Sequence, residues 1–489
     1  MPIRPYAEMS AWLEAAADGE HAVLTSEDPS LFFTSSGSTG AHKKIPVTAT
    51  FMRECFLPFA YAAMGNFFDF HPEAGLRDDA TINFKWDPTL ELGRTATGRP
   101  YLGASQVDYK KSFGEELAAE PGTRAPWSDP PAELENHLDR IYYRVRLAAE
   151  ADVRAMIGIN PAVIAALPSQ IERWTPRLLR EIAEGTVLGR AWVRPNPGRA
   201  AQLEDLAAAF GRLLPYHIWP RLQVLFCWTG ASASVYLPLL GRAFGPDVEI
   251  LPAPVAASES PIGVSVDRHP SAGVLVLPFV FFEFLPADRE VRPGSATLLF
   301  SDLEDGGEYQ VVLTHVGGLY RYALGDVVRV VDHFHGVPRV EFLGRRQLLS
   351  GIGEWTLPGV LRQALDAAGL RGAGFRFRRS AASPVRLEAA VEIQGRWTET
   401  DIRSLAWQLD RFLSAAHLGY AQARQEGTLT APIVVPAAPG TFVADWEARV
   451  ARGTRPAQVK DRVCEHDPSA WETLIAPAAP AQEHAWSAP

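Results

Sequence analysis

Residues 31–44 read Leu-Phe-Phe-Thr-Ser-Ser-Gly-Ser-Thr-Gly-Ala-His-Lys-Lys, and no other stretch limits the fold as strongly. An apolar strand runs directly into small hydroxyl residues and glycines, and two lysines follow. Glycines let successive backbone N–H groups turn inward around an anion, hydroxyls add donors, and a lysine adds charge. The segment is a candidate phosphate cradle, with a flexible Ser/Gly turn as the plain alternative. It is not a Walker A loop, because the G-x-x-x-x-G-K-[ST] spacing is absent.

The chain has 489 residues, too many for one hydrophobic core, so a large domain and at least one smaller one are expected. Hydrophobic residues at 47% and charged residues at 21% indicate a folded, soluble protein. A net charge of −10, with no stripe of interleaved aromatic and basic residues, argues against a nucleic-acid partner. Cys55, Cys227 and Cys464 are isolated, which fits a reducing compartment and neither a disulfide framework nor a zinc site. Residues 1–6 lack the apolar run of a signal peptide. The most apolar stretch, 273–285, carries Pro278 and Glu283 and is too short to span a bilayer. A cytoplasmic protein without a membrane partner is expected.

The first half reads largely as helix with short strands between. Ile164, Leu167, Ile171, Trp174, Leu178 and Ile182 recur at helical spacing, the mark of a core-facing helix. Within it, Thr175 and Pro176 read as an N-cap and first helical residue, and Gly185 as the stop. From residue 223 strands dominate, at 223–228, 274–282, 296–300, 309–313 and 327–331. Asp305-Gly306-Gly307 reads as a hairpin turn, and His333 and His335 as part of a surface turn rather than a metal pair. Helical patterns return at 356–368 and 398–416 with strand-like segments between, which suggests a compact α+β C-terminus. The Ala/Pro-rich stretch 477–489 is expected to be disordered.

Residues 34–43 resemble the T-S-G-S/T-T-G-x-x-K phosphate loop of the adenylate-forming enzymes. The doubled Ser35-Ser36 is similar to one branch, the acyl-acid amido synthetases, whose plant members conjugate auxin, jasmonate and benzoates to amino acids. Gly318-Leu319-Tyr320-Arg321-Tyr322-Ala323-Leu324-Gly325-Asp326-Val327-Val328 resembles that branch's G-L-Y-R-Y-R-x-G-D-V-V, and Phe281-Phe282-Glu283-Phe284-Leu285-Pro286 its F-F-E-F-I-P. The likeness extends with gaps over residues 31–460, and high Ala, Arg and Pro usage suggests a bacterial member. It implies a large N-terminal α/β domain of firefly luciferase-like type at 1–344 and a small, mobile α+β domain at 345–489. A hinge would lie near 344–354, with the active site between the two domains.

The resemblance also assigns roles. Ser35, Ser36, Gly37, Ser38, Thr39, Gly40 and Lys43 would hold the phosphates of ATP, with Lys44 an exposed neighbour. Val255-Ala256-Ala257-Ser258-Glu259 falls where the family has Y-G-S-S-E. Ala256, Ala257 and Ser258 would border the adenine, and Glu259 would hold Mg²⁺, for which one well-placed carboxylate suffices beside phosphates. Val255 in place of the tyrosine leaves the adenine without that aromatic ring, and Ala257 replaces a serine. Tyr320 and Asp326 would contact the nucleoside, Asp326 through the ribose hydroxyls; outside its motif, Asp326 would read as a turn residue. Arg345, in Gly344-Arg345-Arg346-Gln347, would touch ribose or phosphate, while Gln347 replaces the usual hinge aspartate. Residues 456–462 resemble a Q-Y-K-x-P-R segment whose lysine, here Lys460, reaches the α-phosphate and the substrate carboxylate.

The implied activity is an ATP- and Mg²⁺-dependent ligase. A carboxylic acid is adenylated with release of pyrophosphate, and an amine, expected to be an amino acid, then displaces AMP. Both substrates are small molecules, and a monomer is expected. Two other readings stay open: an acyl-CoA ligase or stand-alone adenylation enzyme that loads a thiol, and a non-catalytic nucleotide-binding protein.

Overall fold

The computed structural model describes residues 1–35, 43–75, 77–84, 93–104, 125–346, 348–349, 352–353, 357–370, 373–380, 384–393, 397–456, 459 and 464–475. The chain divides into two compact units, one of 1–346 with 455–458 and the other of 347–454 with 459–489.

In the first unit, Thr81–Asn83, Ala155–Ile157, Val224–Cys227 and Glu249–Pro252 form a parallel sheet in the spatial order 249–252, 224–227, 155–157, 81–83. Parallel neighbours cannot be joined by tight turns, so helices make the crossovers. His137–Ala148, Pro161–Glu184 with Pro197–Phe210, and Leu237–Phe244 occupy the three connections. Every residue of Ala155–Ile157 and Val224–Cys227 is buried, as expected for a sheet covered on both faces. Phe67, on the helix Leu57–Phe70, packs on Phe226 with ring centroids 6.0 Å apart.

The helix Pro161–Glu184 corrects one expectation. It is a single 24-residue helix capped by Asn160, whose side chain accepts from the Ala162 N–H, and it passes through Pro168 and Pro176. Thr175 is therefore not an N-cap; its hydroxyl donates back to the Ile171 carbonyl at 2.7 Å. An internal proline costs about 3 kcal/mol, and here burial of Ile164, Leu167, Ile171, Leu178 and Ile182 on one face opposes that cost. Gly185 ends the helix in the left-handed conformation, as its sequence position suggests.

The second sheet has seven strands in the order Val255–Ala256, Pro261–Val264, Gly273–Leu275, Val337–Arg345, Tyr322–Phe334, Glu308–Thr314, Phe281–Pro286, every neighbouring pair antiparallel. The expected strand at 274–282 is split. Gly273–Leu275 pairs inside the sheet and Phe281–Pro286 forms its far edge, because 276–280 fold into a turn closed by Phe279 and Val280 N–H groups on the Val276 carbonyl. The expected strand at 296–300 shrinks to one bridge, Phe284 to Leu298, followed by the short helical turn Phe300–Asp302. The Asp302 carboxylate accepts from the Leu299 N–H and draws the chain out of the sheet.

Asp326 does not open a strand either. It lies inside Tyr322–Phe334, within a bulge at 324–326 where the register against Glu308–Thr314 slips. Gly325 has φ +82° there, a conformation that a Cβ would strain. His335 and Gly336, both with positive φ, form the two-residue turn into Val337–Arg345. His333 meets Asp305 at 2.8 Å, in keeping with a surface turn. The Asp305–Gly307 turn precedes Glu308–Thr314 but closes no tight hairpin, since the partner strand ends at Pro286.

A smaller sheet orders Lys43–Val47, Leu31–Ser35, Pro100–Leu102 and Gly93–Arg94. Ser35 stands opposite Lys43 in the antiparallel register, so the end of Leu31–Ser35 and the start of Lys43–Val47 lie side by side.

In the second unit, Phe375–Arg379, Leu387–Glu392 and Ile433–Ala437 make a mixed sheet accompanied by the helices Leu357–Ala367, Glu399–Ala416, Leu418–Gln425, Thr441–Ala451 and Pro468–Ile475. Thr398 and Asp401 form a reciprocal capping box on Glu399–Ala416. Among the described residues no helix is long and apolar enough to cross a membrane. The tail 477–489 lies outside the described residues.

One contact holds the far edge of the seven-stranded sheet. Arg321 sits at φ +47°, a strained conformation for a residue with a side chain. Its guanidinium grips buried Glu283 through both oxygens, at 2.8 and 2.7 Å, and donates to the Met1 carbonyl at 2.7 Å. Burial pushes the Glu283 carboxyl up, but the Arg321 and Thr297 hydrogen bonds carry it below its ordinary value of 4.5. Its stabilisation is thus complete above that value and is lost as pH falls through the lowered folded value. Glu283→Ala is expected to cost about 2–3 kcal/mol at neutral pH, less than for a fully buried pair because Arg321 is partly exposed. In chemical denaturation the gap between wild type and variant should close as the pH drops below the carboxylate range.

Candidate functional site

Glu259 lies at the tip of the hairpin joining Val255–Ala256 to Pro261–Val264. Ala257 and Ser260 exchange backbone hydrogen bonds of 2.9 and 3.3 Å, leaving Ser258 and Glu259 as the two turn residues. A glutamate at such a tip normally faces water, yet Glu259 is 1% exposed. The reason is tertiary. The Lys43 ammonium, at the start of Lys43–Val47, donates to Glu259 Oε1 at 2.9 Å. The hydroxyl of Tyr322, fully buried on its strand, lies 3.2 Å from the same oxygen and 3.2 Å from Lys43 Nζ. Lysine only donates, so the Tyr322 oxygen accepts from Lys43 and gives its proton to Glu259.

Burial pushes the Glu259 carboxyl up, but the Lys43 charge and hydrogen bond, then the Arg345 charge, hold it net below the ordinary carboxylate value. Burial, and next the Glu259 charge, push the Tyr322 phenol well above its ordinary value, so it stays a donor. The rings of Tyr6 and Tyr322 lie 5.3 and 5.8 Å from the ammonium and add cation–π attraction.

The main chain of Glu259 is held as well. His315 Nε2 meets its carbonyl at 3.0 Å, while the Gly317 N–H donates to His315 Nδ1 at 3.0 Å. Since Nδ1 accepts, the proton is on Nε2. Burial lowers the imidazole pKa to about 4, against the opposing effect of the carbonyl bond, so the ring is neutral near neutral pH. It packs on Phe51 with centroids 4.6 Å apart.

Asp326 and Arg345 face each other across neighbouring strands, with Nε 3.3 Å from Oδ1. The Arg345 charge acts on both Glu259 and Tyr322, which ties this pair electrostatically to the lysine cluster. Ala256, Ala257 and Ser258 are half-buried in the same hairpin. They follow Glu249–Pro252, at the carboxyl end of the parallel sheet, where open α/β sheets place their ligands.

The structure thus brings together Lys43, Glu259, Asp326 and Arg345. Tyr320 is 37% exposed. Lys44 is not a free neighbour: its ammonium meets Glu14 at 2.6 Å and its N–H donates to the Tyr6 hydroxyl. Ser35 is described only as the last strand residue. Ser36, Gly37, Ser38, Thr39, Gly40, Gln347 and Lys460 lie outside the described residues.

Sequence reasoning missed the parts played by Tyr322 and His315. Tyr322 stood inside the Gly318–Val328 motif, where nothing in the letters marks it as the partner of Glu259. His315 offered none, because only the fold brings it to the Glu259 carbonyl. Among the described residues no cluster of three or more His, Cys, Asp or Glu side chains is placed to hold a metal. Glu259 Oε2, however, is buried without a hydrogen-bond partner among the described residues. An ionised oxygen so left is costly unless a ligand completes it.

These features coincide with a family. The chain matches the GH3 family N-terminal domain over residues 1–250, its central domain over 273–345 and its C-terminal domain over 361–469. It belongs to the GH3 family. It is 26% identical over 393 residues to the indole-3-acetic acid-amido synthetase GH3.10 of Arabidopsis thaliana, covering 71% of this chain and 64% of that protein. To the jasmonoyl-L-amino acid synthetase JAR6 of Nicotiana attenuata it is 26% identical over 318 residues, covering 59% and 54%. The chain therefore spans less than two thirds of the length of these relatives. Its fold is that of the GH3.15 acyl acid amido synthetase, with a TM-score of 0.78 at 18% identity over 97% of this chain and 86% of that one.

His315→Leu would leave the Glu259 carbonyl and the Gly317 N–H buried and unpaired, so a loss of about 2–3 kcal/mol is expected. His315→Gln can accept and donate in the same places and should lose much less. Urea denaturation of the two variants measures the difference.

Proposed function

We propose that this chain is an ATP-dependent, AMP-forming ligase that adenylates a carboxylic acid and passes the acyl group to an amine, an amino acid in the first instance. The observation that carries the reading is the buried Lys43–Tyr322–Glu259 cluster beside the Asp326–Arg345 pair, with Glu259 Oε2 unpartnered. The relatives named as amido synthetases support the choice of acceptor.

Attack of a carboxylate on the α-phosphate brings two anions together, so catalysis is chiefly the placement of cations and donors. Lys43 would turn from Glu259 toward the β- and γ-phosphates, joined by the backbone and hydroxyls of Ser35, Ser36, Gly37, Ser38, Thr39 and Gly40. Ala256, Ala257 and Ser258 would border the adenine, with Tyr320 at the nucleoside, Asp326 accepting from the ribose hydroxyls and Arg345 close to ribose or phosphate. Mg²⁺ fits Glu259, whose ionised carboxylate has one uncommitted oxygen, and when bound it would neutralise phosphate charge. Lys460 would sit between the α-phosphate and the substrate carboxylate and offset their repulsion. A carboxylate oxygen bonds to the α-phosphorus as pyrophosphate departs. The amine nitrogen then bonds to the acyl carbon, loses a proton, and AMP departs. We take residues 1–344 as the domain that binds nucleotide and 345–489 as the one that brings Lys460. The working protein would be a cytoplasmic monomer acting on small molecules, without nucleic acid or membrane.

Incubation with ATP, Mg²⁺ and panels of acids and amino acids should give AMP and an amide of matching mass. A thioester formed with coenzyme A or a carrier thiol, and no amide, would replace this reading with acyl–thiol ligation. Lys460→Ala should slow adenylation about a hundredfold or more while leaving ATP binding nearly intact. Asp326→Ala should mainly weaken ATP binding, about tenfold to a hundredfold, through loss of charge-assisted hydrogen bonds. Calorimetry separates the two effects, and a Lys460→Ala protein with full adenylation rate would remove Lys460 from the site.

A further inference from the structure

The two oxygens of the Glu259 carboxylate have unlike surroundings. Oε1 accepts from both Lys43 and Tyr322, while Oε2 is buried and has no side-chain hydrogen-bond donor among the described residues. The two donors to Oε1 also differ in kind. Lys43 carries its charge on a flexible stem, is 18% exposed at the side chain, and adjoins the segment 36–42. Tyr322 is fully buried at the start of its strand, opposite Leu313 on one side and bridged to Arg4 on the other, and a ring so enclosed has little freedom to move.

In the reading proposed above, the nucleotide phosphates draw the Lys43 ammonium away. Among the described residues that leaves Tyr322 as the only side-chain donor to Oε1. Without it the carboxylate could turn about its own bond and exchange its two oxygens, or swing after the lysine. With it, Oε1 stays fixed, and the His315 bond to the Glu259 carbonyl fixes the backbone from the other side.

We infer that Tyr322 is a positioning residue whose hydroxyl holds Glu259 Oε1, so that Oε2 stays presented to a divalent cation after Lys43 has turned to the phosphates. The inference rests on the assignment of Glu259 as the metal carboxylate. In this role Tyr322 acts through Glu259, to which its hydroxyl donates. Partners that orient a metal-ligating group without touching the metal are commonly worth ten- to a hundredfold in affinity.

The test is Tyr322→Phe, which keeps the ring and its burial and removes only the hydroxyl. Mn²⁺ serves as a paramagnetic probe, titrated by electron paramagnetic resonance at a saturating, non-hydrolysable ATP analogue. Nucleotide affinity in EDTA and the thermal midpoint are measured beside it. The expected result is Mn²⁺ affinity weakened roughly ten- to a hundredfold, with metal-free nucleotide affinity unchanged, a split that general loosening of the fold would not produce. Glu259→Ala should weaken Mn²⁺ at least as much. Wild-type Mn²⁺ affinity in Tyr322→Phe, with Glu259→Ala impaired, overturns the role of Tyr322 and leaves the site reading intact. Wild-type affinity in both variants overturns the metal assignment of Glu259 and the role of Tyr322 with it. Equal loss of Mn²⁺ and of metal-free nucleotide binding in Tyr322→Phe makes Tyr322 merely structural.

Discussion

The ion pair between Lys43 and Glu259 is the contact on which the rest of the site depends. Removing a carboxylate from water to 1% exposure carries a desolvation penalty of several kcal/mol, and one opposite charge seldom offsets it. Here the carboxylate also accepts from Tyr322, and its carbonyl from His315. These contacts span three parts of the first unit. Lys43 comes from the small sheet, Glu259 from the edge hairpin of the seven-stranded sheet, and Tyr322 from an inner strand of that sheet, with His315 just past Glu308–Thr314. Such a pair contributes little net stability. What it does is fix where the small sheet meets the seven-stranded one, and among the described residues it keeps one ionised oxygen uncommitted there.

The run from Gly318 to Val328 divides its labour in a way the letters do not announce. Arg321 turns away to Glu283 and the Met1 carbonyl, accepting a left-handed backbone to do so. Tyr322 turns inward to Glu259, Gly325 allows the bulge, and Asp326 emerges from it opposite Arg345. Glu283, from the Phe281–Pro286 motif, holds Arg321 in place. A motif that reads as one unit is thus partly scaffold and partly site.

Much of the architecture was legible where local rules act alone. The apolar face from Ile164 to Ile182, the stop at Gly185 and the helix expected at 398–416 follow from helical period and end signals. The misplaced start at Thr175–Pro176 came from a local rule that burial overrode. The strands at 274–282 and 296–300 failed for a related reason, because composition marks β-compatible residues but not which backbone groups find partners. Glu259 and Asp326 were reached only through motif resemblance, and their burial and pairing are tertiary facts. His315 lay beyond sequence reasoning altogether, since its role is set by a carbonyl 56 positions away.

Membership of the GH3 family and a shared fold define the frame, and the buried cluster gives that frame a chemical purpose. The most direct measurement is exchange of radiolabelled pyrophosphate into ATP across a panel of aryl, indolyl, alkyl and amino acids, with Mg²⁺ present and no acceptor added. The account predicts exchange with at least one acid, which would name the acyl substrate, and its abolition by Glu259→Ala. Measurable ATP binding with no exchange for any acid would contradict it and make the chain a nucleotide-binding protein without adenylation activity.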